Sequence, residues 1–237
     1  KGGNTGSDSS GVTPSAGQAK QIDVMKDWKD LNDPREKFPP AGTQTGETSP
    51  RIVKTKYETR DIIVADIVPT EMGYAVDPTG VTDSTDGIQQ ALYDCYYGGG
   101  GTVFLPAGNY AITDTITIPQ GVTLRGDWQD PDIGTEYGTV FRVWMDSSEE
   151  DAGGAFSIYD SAGIVGVTVY YPFQTLYEVL PYPFTFYVAN TSQVITIRDI
   201  TVINGYRGIG TSVEIPHEIL IVDNFKGTFL KSGMELN

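Results

Sequence analysis

From Arg51 onward the apolar residues recur at every second position or in short unbroken runs. Tyr57-Glu58-Thr59-Arg60-Asp61-Ile62-Ile63-Val64 and the phrase GTVFLPAGNYAI are of strand length and strand character. One stretch breaks this period. From Ser84 the apolar residues Ile88, Ala91, Leu92 and Cys95 return at helical spacing and give a single buried face. Ser84 or Thr85 is placed to cap that helix, with acids near its start, and the run Gly98-Gly99-Gly100-Gly101 ends it and hands the chain to a strand. Beyond it come ITDTITIP, GVTLRG, GTVFRVWM, AFSIYD, GIVGVTVYY, FTFYVAN, QVITIRDITVIN, HEILIVDN and GTFLKSGMEL, rich in Val, Ile, Thr and aromatics and separated by Asn, Gly and Asp.

No helices intervene between these strands, so a βαβ sheet is disfavoured, which leaves an antiparallel sandwich or a parallel β-helix. GIVGVTVYY, QVITIRDITVING and HEILIVDNFKG each carry alternating Ile/Val runs, followed in the last two by Asn or Asp and a turn. Val167 and Ile200 lie 33 residues apart, and Ile200 and Ile221 lie 21 apart. Such spacing suits stacked coils of roughly 20–25 residues, each burying its inner face on its neighbours. Hairpin dipeptides such as Asn204-Gly205 are too rare for an antiparallel meander. The expected fold is therefore all-β: a right-handed parallel β-helix with an N-terminal capping α-helix.

The first 50 residues differ. Twelve of the first 19 are Gly, Ser, Thr or Pro, the composition of a flexible linker, and only QIDVMKDWKDLND offers a short helical phrase. The expected organisation is a linker over 1–50 and a β-helix domain over 51–237. Lys1 at the start, and a strand-like phrase running straight to Leu236-Asn237, suggest that both ends are cut and that a second chain or further sequence completes the coil stack. The net charge of −15 comes from 31 acids against 16 bases, and residues 51–237 hold 24 of the acids and 10 of the bases. So acidic a chain is a poor partner for phosphate backbones, which argues against nucleic acid, and no apolar run is long enough to span a membrane. The single Cys95 forms no internal disulfide and lies on the buried helical face.

The stretch from Asp77 to Trp128 carries a composite pattern: Thr82-Asp83, Thr85, Ile88-Gln89, Ala91-Leu92, Gly99 to Val103, Pro106, Gly108, Tyr110, Leu124 and Gly126. It resembles the N-terminal segment of the pectate-lyase-3 type of right-handed β-helix, with glycoside hydrolase family 28/55-like relatives. The resemblance implies the fold and an extracellular, secreted, bacterial setting. It also implies relatives that act on polysaccharides: polygalacturonase-like and β-1,3-glucanase-like hydrolases, pectate lyases and phage tailspikes. The motif speaks for the fold more than for the chemistry.

Glycoside hydrolysis requires two carboxylates across the scissile bond. Asp199 in ITIRDITV and Asp223 in ILIVDN read as equivalent positions on successive coils and are the first choice for that pair. Tyr171 and Gln174 in the Pro-broken aromatic segment, Tyr206 and Arg207 in NGYRGIG, and the sole histidine, His217, are the substrate-binding candidates. The expected ligand is a polysaccharide or oligosaccharide, and no cofactor is required. Asp127, Asp130 and Asp132 could gather a calcium ion, but they lack the EF-hand spacing, and a turn rich in Asp and Pro is the commoner explanation. With no cluster of basic residues evident, a hydrolase ranks ahead of a lyase. A non-catalytic scaffold or glycan-binding subunit stands as the alternative from another class.

Overall fold

The computed structural model describes residues 50–57, 59, 61–129, 137–145, 150, 153–175, 177–190, 193–211 and 219–236. The linker and helical phrase expected before residue 50 lie outside them, as do Asp130, Asp132 and His217. The described chain runs β1 (Arg51–Ile52), β2 (Val64–Ala65), a single 3-10 turn (Pro69–Glu71), β3 (Thr79–Asp83) and α1 (Thr85–Tyr97). Then follow β4 (Gly101–Leu105), β5 (Gly108–Ile112), β6 (Ile116–Ile118), β7 (Val122–Gly126), β8 (Thr139–Val143) and β9 (Gly154–Tyr159). The last four strands are β10 (Gly163–Tyr170), β11 (Phe184–Asn190), β12 (Val194–Thr211) and β13 (Ile219–Glu235).

Every strand pair except β1–β2 is parallel, which excludes the sandwich. The pairs form three ladders, and each coil contributes a rung to all three. In the first, Ile67, Val103, Leu124, Ile164, Ile197 and Val222 stack in register with their side chains inward. The second stacks Tyr110, Phe141, Val169 and Val202, and the third stacks Ile116, Phe156, Phe186, Ile209 and Met234. The alternation read from the sequence is thus the alternation between the inside of the coil and its outer faces. The first-ladder register gives coils of 21, 40, 33 and 25 residues. The two long ones exceed the expected 20–25 because loops leave the stack after β7 and after β10.

The helix expected from the Ile88–Cys95 spacing covers the top of the stack, packing on β4, β6 and β7. Its buried polar residue, Gln89, completes the edge it covers: the side-chain amide donates to the Thr117 carbonyl (2.8 Å) and accepts from the Thr117 N–H (2.7 Å). The side chain thus takes the place of a further strand for β6. Burial pushes the Cys95 thiol up to about 12, consistent with a core thiol. Gly101 closes the glycine run at φ 134°, and a side chain there would strike the Asp66 carboxylate that receives the Thr102 N–H.

The two aspartates flanking this motif build its turns. Asp77 accepts five hydrogen bonds of 2.6–3.1 Å, from the N–H and hydroxyl groups of Thr79 and Thr82 and from the Val81 N–H. Asp83 receives the Thr85 N–H and hydroxyl on one oxygen and the Thr113 hydroxyl on the other, while the side chain of Ser84, the expected cap, makes no capping bond. The Thr79 hydroxyl, then the neighbouring N–H groups, hold the Asp77 carboxyl well below the usual carboxylate range. A folded-state pKa below the unfolded value contributes stability above the unfolded pKa, and that stability is lost as pH falls through the folded one. Asp77→Asn is therefore expected to melt earlier than the wild type at neutral pH, with the gap closing as pH falls from about 5 towards 2. Thermal melts followed by circular dichroism across that range check it, and a pH-independent gap would refute it.

Candidate functional site

On the outer face of the first ladder the register places Phe104, Arg125, Val165, Arg198 and Asp223 one above the other. Phe104 is covered by the N-terminal arm through a small apolar cluster with Ile63, Ala65 and Val68. The arm is held by the antiparallel pairing of β1 with β2 and by Asp127, whose carboxylate receives the N–H groups of Lys56 (2.5 Å) and Tyr57 (3.3 Å). Burial raises the pKa of Asp127, and these donated hydrogen bonds oppose the rise. This is the internal role of the aspartate that the sequence offered as a calcium ligand. Among the described residues no three His, Cys, Asp or Glu side chains gather into a metal site.

Past Phe104 the arm loop lowers Asp61 onto the two arginines. One Asp61 oxygen, Oδ2, pairs with Nη2 of Arg125 (3.4 Å) and with Nη2 of Arg198. The side chain of Arg125 is only 8% exposed, and its Nη1 has no hydrogen-bond partner among the described residues. Burial lowers the pKa of this guanidinium, and Asp61 opposes the shift. Gly166, at φ 72°, forms the corner beside it, where a side chain would collide with Arg125 Nη1. The surroundings form an open groove of about 670 Å³ whose lining includes Asp61, Thr123, Arg125, Val165 and Arg198.

Asp199 and Asp223 adjoin this strip, but they are not equivalent positions. Asp223 pairs in register with Arg198, while Asp199 sits at the next position, a corner at φ 53°. The coil counterpart of Asp199 is Asn224 (φ 49°), whose amide donates to Asp199 Oδ1 at 2.8 Å. Arg198 Nε approaches Asp199 Oδ2 at 3.5 Å. The expected equivalence is therefore wrong by one residue. Likewise Ile200 pairs with Phe225 and not with Ile221.

The other candidates fall elsewhere. Tyr171 is fully buried against Tyr182, its hydroxyl donating to Thr185 Oγ1. The buried Gln174 clasps its own loop through the Leu180 carbonyl and N–H. Neither presents a surface to a sugar, a correction to the expectation from the aromatic loop. Arg207 lies on the outer face of the third ladder, stacked on the Phe184 ring (3.6 Å) with its fork closed on Glu235 at 3.1 and 2.7 Å. Its neighbour Tyr206 is approached by Lys231. Neither stands on the strip with Asp199 and Asp223. In place of the buried tyrosines, Trp144 and Phe173 form an exposed edge-to-face aromatic pair, centroids 4.8 Å apart.

Sequence reasoning missed Asp61, Arg125 and Arg198, and with them a basic cluster it judged absent. A signal was present: Thr123-Leu124-Arg125-Gly126 and Thr196-Ile197-Arg198-Asp199 share one pattern, an outward threonine, an inward aliphatic, an outward arginine and a corner.

Residues 72–149 match the family model described as rhamnogalacturonase A/epimerase, pectate lyase-like. No curated protein gives a significant match. Among solved structures, the A-module of the mannuronan C-5 epimerase AlgE4 of Azotobacter vinelandii aligns at 17% identity over 72% of this chain and 53% of that one, with a TM-score of 0.49. The corresponding AlgE6 module aligns at 16% identity over 72% and 58%, with a TM-score of 0.40. The chain thus spans a little over half the length of these modules. The family match covers the cap, the first coil and two of the second coil's three rungs, β7 and β8, and the parallel coils continue from it through β13. Residues 72–149 are thus similar to a pectate-lyase-like family, and the chain that carries them folds as a parallel β-helix.

Proposed function

We propose that this chain is a secreted, carbohydrate-active β-helix protein, a glycoside hydrolase that takes an acidic polysaccharide along the outer face of the first ladder. The observation that carries the reading is the strip on which Arg125, Arg198, Asp199 and Asp223 adjoin one another. Guanidinium forks match the planar carboxylates of sugar acids, and the strip runs along the coil axis, as an extended polymer would. Asp199 and Asp223 sit one coil and one residue apart. With a rung spacing of about 4.8 Å and a strand rise of about 3.3 Å, that offset is near the separation two hydrolytic carboxylates require. In this reading one protonates the leaving oxygen and the other serves the attacking water or the sugar carbon.

The paired arginines favour a second reading, a lyase or epimerase chemistry at the carbon beside a uronate carboxyl. There Arg125 and Arg198 would offset the charge that develops on the carboxylate as the proton leaves. Incubation with polygalacturonate and polymannuronate, followed by assays for new reducing ends and for ultraviolet-absorbing unsaturated ends, separates the two. Reducing ends without absorbance, lost by at least about 100-fold in Asp199→Asn and Asp223→Asn, are expected for the hydrolase. Absorbance would favour the lyase, and full activity in both variants would remove the aspartates from the chemistry.

A further inference from the structure

The same site holds an occupant from its own chain. Asp61 reaches Arg125 and Arg198 across Val165 and pairs with both guanidinium groups through a single oxygen. The contact is long-range: Asp61 lies 64 residues from Arg125 and 137 from Arg198. It is made by the loop between β1 and β2, two strands of two residues each, anchored elsewhere at Asp127, on Phe104 and through the exposed Arg51–Glu71 ion pair (2.6 Å). Among the described residues Nη1 of the deeply buried Arg125 has no acceptor, so the single Asp61 oxygen does incompletely what a two-oxygen carboxylate does on a guanidinium fork. The arginines are set by the register of β7, β10 and β12, whereas the arm that carries Asp61 lies outside the stack.

Resting on the acidic-polysaccharide reading above, we propose that the N-terminal arm is a built-in competitor for this anion subsite. Asp61 takes the place of a sugar-acid carboxylate between Arg125 and Arg198, and the subsite opens when the loop lifts. The competitor lowers apparent affinity by the fraction of time the loop is down. Salt and free carboxylates loosen it, because Asp61 is partly exposed.

Titration calorimetry of short galacturonate and mannuronate oligomers against the wild type and Asp61→Asn tests this. The variant keeps the size of the side chain and removes its charge. Binding roughly tenfold tighter than wild type is expected for an acidic oligomer, and no change for a neutral maltooligosaccharide. Equal, measurable binding by both proteins overturns the competitor while leaving the substrate reading intact. No binding by either protein overturns both. Should Asp61→Asn fold poorly, hydrogen exchange on the wild type answers the same question. The Lys56 and Tyr57 amides, held by Asp127, should exchange several-fold faster with the oligomer bound than without it. Unchanged exchange at saturating oligomer means that the arm does not move for the ligand and overturns the proposal.

Discussion

Phe156→Ala is expected to destabilise the protein by about 3–5 kcal/mol, the largest stability loss among single core truncations in the described stack. Phe156 is fully buried in the second coil and belongs to an aromatic spine through the coil interior. Its ring meets Phe141 of the same coil edge-on at 5.0 Å and stacks on Phe186 of the next coil at 5.5 Å. On the other side it is in register with Ile116 of the first coil. Stacked coils bury apolar surface only against their neighbours, so truncation here weakens the interfaces above and below together. For a domain of this size each kcal/mol moves the melting temperature by roughly 2–4 °C, so a fall of about 10 °C or more is expected by differential scanning calorimetry. Met234→Ala is the matched control. It lies on the same ladder in the last coil, 43% exposed, and should cost less than about 1 kcal/mol. Equal losses at the two positions would mean that the stack does not unfold by nearest-neighbour coils.

The contrast between these residues also explains what the sequence made legible. Inward positions declare themselves by alternation, so the strands from β6 to β13 and the capping helix follow from pattern alone. Alternation does not carry phase across a corner. Asp and Asn both tolerate the left-handed conformation, and here one coil turns on Asp199 while the next turns on Asn224, preceded by Asp223. Aligning aspartate with aspartate therefore slips the register by one residue. The arm was misread for a related reason. Tyr57–Val64 alternates like a strand, yet only Val64–Ala65 pairs, because Ile63 and Ala65 face Phe104 while Ile62 and Val64 face solvent. Alternation records burial on one side, which a loop pressed on a sheet shares with a strand. The aromatic segment misleads in the opposite sense. Loop tyrosines suggest a sugar platform, but Tyr171 and Tyr182 are buried against each other beneath the loop and hold it down. The arginine site was hidden because its anion comes from a part of the chain that no local window connects to it.

Arg125→Met should separate that site from the fold. A buried guanidinium with one nitrogen that finds no partner among the described residues is costly, and an apolar side chain of similar length relieves the desolvation without opening a cavity. Stability is therefore expected to stay within about 1 kcal/mol of wild type or to rise, measured by urea titration. Affinity for an acidic oligosaccharide should nevertheless fall by about 2–3 kcal/mol, roughly 30- to 150-fold, because the carboxylate loses its fork while Arg198 alone offers a more exposed and more screened charge. Arg198→Met removes the shallower partner and should cost less affinity than Arg125→Met. If Arg125→Met instead unfolded the protein, the arginine would be a structural tie between arm and coils. If it folded and bound acidic sugars as tightly as wild type, the anion subsite would have to be sought away from this face. The combination expected, an unchanged or firmer fold with lost binding, is what a side chain kept for its ligand produces, since a residue kept for packing cannot be replaced without loss of stability.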